Sequence, residues 1–267
     1  MEIGGIHIYP IKSTRGIDLA EAAVTRRGLA ADRRFLVVDE VGGFLTARVA
    51  PTLCLVRTAL TADGVHLSLP SGEGLAIPWP SRPAGPPLEV RIWRDRCLAW
   101  PVGEAADALL SRYLGRAARL VYLPEETVRA VDPTYGAPGD EVSFADAYPI
   151  LVVTEGSLAD LSARVGRPLS MRRFRPNVVI RGAAAYAEDT WQRIRIGEVE
   201  LVLAKPCSRC VFTTLDPDTA AADPAGEPLR TLAGYRRGAD GGVYFAQNAI
   251  PRRLGTLRLG APVTVLA

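Results

Sequence analysis

Cys207 and Cys210, three positions apart in Lys205-Pro206-Cys207-Ser208-Arg209-Cys210, have the type and spacing most suited to chemistry. Neighbouring positive charge favours the thiolate, the form that attacks electrophiles and ligates metals. A single CxxC pair admits a thioredoxin-like redox couple, half of a zinc site, one thiolate ligand of a metal centre, or two inert thiols. A redox couple opens a helix within a βαβ unit, whereas the following Val211-Phe212-Thr213-Thr214 is β-branched and aromatic and predicts strand. A structural zinc site needs four ligands. Cys54 and Cys97 have no cysteine near them, and the only histidines are His7 and His66. His66 alternates with apolar neighbours, which predicts a solvent-facing strand position.

Two other clusters could hold an anion. Gly5-Ile6-His7-Ile8-Tyr9 predicts a strand stopped by Pro10, and the turn after it carries Lys12, Ser13, Thr14 and Arg15. Farther on, Arg172-Arg173-Phe174-Arg175-Pro176-Asn177 feeds the strand Val178-Val179-Ile180, so Arg175 and Asn177 offer several donors from a turn fixed by a buried strand. A wet basic loop is the alternative for each cluster. Lys12 and Lys205 are the only lysines, and both fall inside these motifs.

The elements that must position these residues are mostly short strands. Ala22–Thr25, Arg34–Asp39, Phe44–Arg48 after a Gly42-Gly43 hairpin turn, Leu53–Leu60, Gly64–Leu69 and Leu88–Trp93 predict a β meander. Residues 70–87, dense in Pro, Gly and Ser, predict a surface loop with short extended pieces. Helical spacing of Ala105, Leu109, Leu110 and Tyr113 predicts a helix over 103–115 ending at glycine. A polar connection over 124–143 suggests a boundary, giving units 1–123 and 124–267. In the second unit Ile150–Val153 predicts a buried strand, and Ser157 is the expected cap of a helix running to Gly166. Val199–Ala204 predicts the strand that leads into the cysteines, and Glu227–Leu232 a short helix. Val243–Asn248, Gly255–Gly260 and Val263–Leu266 close the chain as strands.

A chain of 267 residues, nearly half of them hydrophobic and 23% charged, has ample core for a folded globule. The strand-like Ile6–Tyr9 follows Met1 too closely for a signal peptide, and no apolar run approaches a membrane span of ~20 residues. These features give a cytoplasmic expectation with no membrane association and reduced thiols. Net charge is only +3, and basic residues are interspersed with acidic ones without an aromatic-laced basic block. That pattern argues against nucleic-acid binding.

Taken in order, several segments resemble the MOSC proteins that carry an N-terminal MOSC β-barrel region, the group of the amidoxime-reducing components. The carriers are Tyr9-Pro10-Ile11-Lys12-Ser13, Asp32-Arg33-Arg34-Phe35-Leu36-Val37, Leu45-Thr46-Ala47-Arg48, Phe174-Arg175-Pro176-Asn177-Val178-Val179-Ile180, Ala187-Glu188-Asp189-Thr190-Trp191 and Cys207-Ser208-Arg209-Cys210 running into Thr213-Thr214-Leu215-Asp216-Pro217-Asp218-Thr219. The resemblance spans nearly the whole chain. It implies a mainly β fold with a few helices (α+β), a MOSC-type β-barrel packed against an N-terminal β-rich MOSC region.

The resemblance also implies a molybdenum cofactor, a molybdopterin whose metal takes one protein thiolate. That ligand carries over to Cys210. Lys12, Ser13, Arg33, Arg175, Asn177, Ser208 and Arg209 match positions that hold the pterin and its phosphate, with Arg48 and the 144–148 loop as weaker matches and no ligand role for Cys207. The implied activity is reduction of an N-oxygenated small molecule. Some relatives carry a C-terminal iron-sulfur domain, and no cysteine follows Cys210 here. The expectation is therefore electrons from a separate protein of ferredoxin, flavodoxin or cytochrome b5 type. MOSC domains also occur in cofactor sulfurases, so a cofactor or sulfur carrier without turnover is the alternative, and a metal-free CxxC redox protein ranks third.

Overall fold

The computed structural model describes residues 1–266. The fold is mainly β with three α-helices among the described residues, the α+β class expected. Its largest sheet has eight strands in the order Val263–Val265, Arg193–Ile196, Val199–Ser208, Tyr244–Arg253, Ile150–Thr154, Val178–Arg181, Glu2–Ile8 and Ile17–Asp18. Ile150–Thr154 and Val178–Arg181 run parallel, Val152 opposite Val178, and helix Glu155–Val165 lies between them in the chain. A parallel pair requires such a crossover.

Glu2–Ile8 belongs to this sheet, pairing antiparallel with Val178–Arg181 through Ile6 opposite Val178. The first strand of the chain thus completes the sheet of the second half. The exchange is mutual: Gly255–Arg258 pairs with Glu21–Thr25 in a three-stranded sheet that also holds Gly28–Leu29. At Gly28 the two halves touch backbone to backbone. A Cβ there would come within 2.2 Å of the Pro149 carbonyl oxygen, and φ is +104°, so only glycine fits without displacement. One apolar core joins Ile3, Ile6 and Ile8 to Val152, Val178, Ile180, Leu201 and Leu257. A second, around Phe35, Leu53, Leu110 and Leu120, takes in Leu215 from just beyond the cysteines.

Helix Glu104–Leu114 matches its expected span, with acidic Glu104 and Asp107 in its first turn and Gly115 left-handed at φ 65° behind it. Four expectations change. The cap of helix Glu155–Val165 is Thr154, whose Oγ1 accepts from Ser157 N at 3.1 Å. Ser157 lies inside the helix, where its hydroxyl donates to buried Glu188 Oε1 at 2.7 Å. Residues 44–48 form no strand beyond a bridge from Val38 to Phe44. Leu53–Leu60 divides into a 3₁₀ turn, Pro51–Leu55, and a strand, Arg57–Leu60, with Pro51 opening the turn. The short helix falls at Leu229–Tyr235, starting just after Pro228.

Candidate functional site

Strand Val199–Ser208 carries the first cysteine at its end, and the chain then turns. The register shifts between Pro206 and Ser208, which removes Cys207 from regular pairing with Tyr244–Arg253. Such a bulge re-aims a side chain at the edge of a ladder. Val211–Thr214 forms a 3₁₀ turn instead of the expected strand. Its threonines explain the change: Thr213 Oγ1 donates to Cys210 O at 3.0 Å and Thr214 Oγ1 to Val211 O at 2.7 Å. Hydroxyl groups that bond the local backbone compete with a ladder. From outside the loop, buried Arg173 donates to Leu215 O at 2.8 Å and Thr214 O at 3.2 Å, and pairs with Asp216 at 2.9 Å. Arg173 is thereby the brace of the cysteine turn.

All eight residues expected at the site line one pocket: Lys12, Ser13, Arg33, Arg175, Asn177, Ser208, Arg209 and Cys210. Cys207, Arg48 and residues 145–148 line it as well. The organising residue is Tyr9. Its ring lies 4.4 Å from the Arg33 guanidinium and 4.0 Å from that of Arg175, so one aromatic positions a cation from each half. Burial pushes the Tyr9 phenol up to about 12, against the pull of Arg175 and Arg33. Arg33 Nη1 donates to buried Asp32 at 2.5 Å and to Asn177 Oδ1 at 3.1 Å. Asp32 also accepts from Tyr9 N at 2.8 Å. Asn177 joins three segments, since its Oδ1 takes Leu151 N and its Nδ2 donates to His7 O, each at 3.1 Å.

Lys12 is buried and bonds Phe144 O at 2.7 Å and Asp146 Oδ1 at 2.6 Å. Burial pushes its ammonium down to about 8 while Asp146 opposes the shift. Desolvation works to raise the Asp146 carboxyl, but Lys12 and Arg48 outweigh it and hold that group well below the usual carboxylate range. Among the described residues Asp146 is the only carboxylate lining the pocket, against cationic Lys12, Arg33, Arg48, Arg175 and Arg209.

Three of these cations keep buried donors that no protein atom accepts: Arg48 Nε, Arg175 Nη2 and Arg209 Nε. Arg175 otherwise donates to Thr14 O at 2.6 Å; burial, then repulsion from Arg33, brings it down to about 10. Arg209 spans Phe174 O at 2.7 Å and Cys207 Sγ at 2.9 Å. A buried guanidinium N–H without an acceptor is costly, and an oxygen-rich anion supplies acceptors for several at once. Ser13, Arg33 and Arg175 also adopt left-handed backbone, with φ of 70°, 47° and 56°. Non-glycine residues are held in that region only where the surroundings over-determine them. No group of three or more His, Cys, Asp or Glu suited to a metal occurs among the described residues. Cys210 offers one soft sulfur donor beside this anion cradle, which fits a metal carried on an anionic organic ligand.

Sequence reasoning did not single out Thr46, Asn248 or Trp93, which lie in or beside this pocket. Tyr9 and Asp32 stood inside segments that carry the resemblance, but Tyr9 acts through Arg175, more than a hundred residues away, and Asp32 through Tyr9 N, 23 positions away. Trp93 looked like the last residue of a strand.

Residues 1–117 match the family described as the MOSC N-terminal beta barrel domain, and residues 139–264 match the MOSC domain. The chain is 35% identical to mitochondrial amidoxime-reducing component 1 of Mus musculus over 99% of this chain and 82% of that protein. It is 34% identical to the Homo sapiens protein of the same name over the same shares. With the Danio rerio protein it shares 35% identity over 96% of this chain and 82% of that one.

Proposed function

The chain belongs to the MOSC family, in the two-part group of the amidoxime-reducing components, and from that premise we propose that it is an oxidoreductase that reduces N-hydroxylated or N-oxygenated compounds with a molybdenum cofactor. The observation that carries this reading is the pocket itself, where Cys210 meets five cations from both halves, three with unused buried donors. In this reading Cys210 is the thiolate ligand of the metal. Lys12, Ser13, Arg33, Arg175, Asn177, Ser208 and Arg209 hold the molybdopterin and its phosphate. When bound, the group supplies two-electron removal of oxygen from an N–O bond, so that R–NHOH, two electrons and two protons give R–NH₂ and water.

The protein's part is placement and charge. Arg175 and Arg209 offer the fixed donors that an anion completes, and Tyr9 keeps Arg33 and Arg175 from separating despite their mutual repulsion. Arg173 holds the turn that presents Cys210. Electrons come from a separate ferredoxin, flavodoxin or cytochrome b5 type protein. No helix among the described residues is long and apolar enough to cross a membrane, and we place the protein in the cytoplasm. We also propose 1–123 and 124–267 as its sequence units.

Protein produced in a host that makes the cofactor should contain about one molybdenum per chain and reduce benzamidoxime with an artificial donor. Absence of both from well-folded protein would refute the reading. A second reading, a cofactor or sulfur carrier without turnover, draws on Cys207, which lines the same pocket under the Arg209 guanidinium. Under it, Cys207→Ser would be as damaging as Cys210→Ser.

A further inference from the structure

Trp93 has a conformation and exposure that its place in the fold does not require. Ile92 pairs with Asp95, so Trp93 and Arg94 are the whole turn of a hairpin. Trp93 takes φ of +56°. That position in a two-residue turn favours Gly, Asn or Asp, and a bulky side chain there is strained. The indole is 47% exposed, so burial does not offset the strain.

What holds it are residues of the pocket. The indole Nε1 donates to Asp146 Oδ1 at 3.1 Å, and the Arg48 guanidinium lies 4.2 Å from the ring. Phe44 meets it edge-on at 5.1 Å, with the Lys12 ammonium 5.9 Å from Phe44 in turn. Asp146 and Arg48 line the same pocket as Cys210. A strained aromatic, open to solvent and locked by two pocket-lining side chains, is a preorganised surface at the edge of the site.

We propose that Trp93 is the platform that selects substrates carrying a flat aromatic group next to the N–O function, a specificity role that rests on the reductase reading. The reacting end enters the cationic pocket while the ring stacks on the indole outside it. A neutral N-hydroxylated form enters such a pocket without charge repulsion, and stacking then separates aromatic from aliphatic substrates by about three- to tenfold.

The test is calorimetric binding of benzamidoxime and acetamidoxime to the cofactor-loaded enzyme without an electron donor, so that no turnover occurs. Trp93→Asn suits the turn, and its Tm should equal or exceed that of the parent. It should bind benzamidoxime about three- to tenfold more weakly and acetamidoxime within about twofold of the parent. Trp93→Phe should retain most of the benzamidoxime affinity. With a donor added, the loss in Trp93→Asn should appear in KM for benzamidoxime and leave acetamidoxime turnover unchanged. Equal weakening of both ligands, unchanged benzamidoxime binding, or no binding to the parent overturns the platform. If the parent binds benzamidoxime through Trp93 yet reduces neither compound, the reductase reading fails and the aromatic platform stands.

Discussion

Residues 9–33 and residues 173–210 both send cations into the pocket, yet the first stretch arrives neutralised and the second does not. Lys12 is paired with Asp146, and Arg33 with buried Asp32. Among the described residues Arg175 and Arg209 have no carboxylate partner; they bond carbonyls and a sulfur and keep one buried donor each unused. The first wall is complete without a ligand, so it contributes to folding. The second carries a desolvation cost that a bound anion would offset, which is the arrangement of a binding surface.

The largest test removes one region from the other. Residues 124–267 alone lack strand Glu2–Ile8, leaving the Val178–Arg181 edge and the Ile3–Ile6–Ile8 share of the core unfilled. This fragment should show neither a cooperative melt nor dispersed amide resonances, and a folded fragment would show that the halves are independent. Next, Cys210→Ser should reduce benzamidoxime reduction to background with Tm nearly unchanged, while Cys207→Ser keeps most of the activity; equal losses would erase the distinction between the thiols.

The contrast between walls predicts opposite costs. Asp32→Asn leaves Arg33 in a buried setting without its counter-charge and should lower unfolding free energy by about 3 kcal/mol in urea titrations. Arg175→Met removes a partly buried cation that lacks a carboxylate partner among the described residues and should cost cofactor-free protein no more than about 1 kcal/mol, while lowering molybdenum content after expression. Reversed costs would break the comparison.

The same comparison extends to pH dependence. Lys12 is lowered from 10.5 to about 8, so across that window the unfolded chain holds a proton that the folded chain has shed. Stability must then rise with pH between those values, by up to about 3 kcal/mol from this group. The difference between parent and Lys12→Met melts, followed from pH 7.5 to 10.5, isolates the contribution; a flat difference would show that Asp146 holds the proton on Lys12 throughout.

Much of the architecture was legible in local pattern. Helix Glu104–Leu114 and strands such as Ile150–Thr154 and Glu21–Thr25 fall where apolar spacing and turn residues put them. Three of the errors share a cause: side-chain hydroxyls or proline overrode propensity over short distances. Thr213 and Thr214 turned a strand-like tetrapeptide into a 3₁₀ turn, Thr154 took the cap from Ser157, and Pro51 divided Leu53–Leu60.

At the site, residue types and their order along the chain were enough to nominate a thiolate with scattered cations and to associate them with one family. They did not distinguish Arg33, which has a carboxylate, from Arg175, which has none, nor reveal that Tyr9 lies against both. Those facts depend on strand Glu2–Ile8 pairing beside Val178–Arg181, which brings position 9 next to position 175. Trp93 is the clearest case. Its sequence neighbours describe the end of a strand, while its strain, exposure and bond to Asp146 exist only once a hairpin turn packs against a loop more than fifty residues away. Local sequence sets what a segment prefers; which partners satisfy or leave unsatisfied a buried charge is decided by what folding brings within a few ångströms of it.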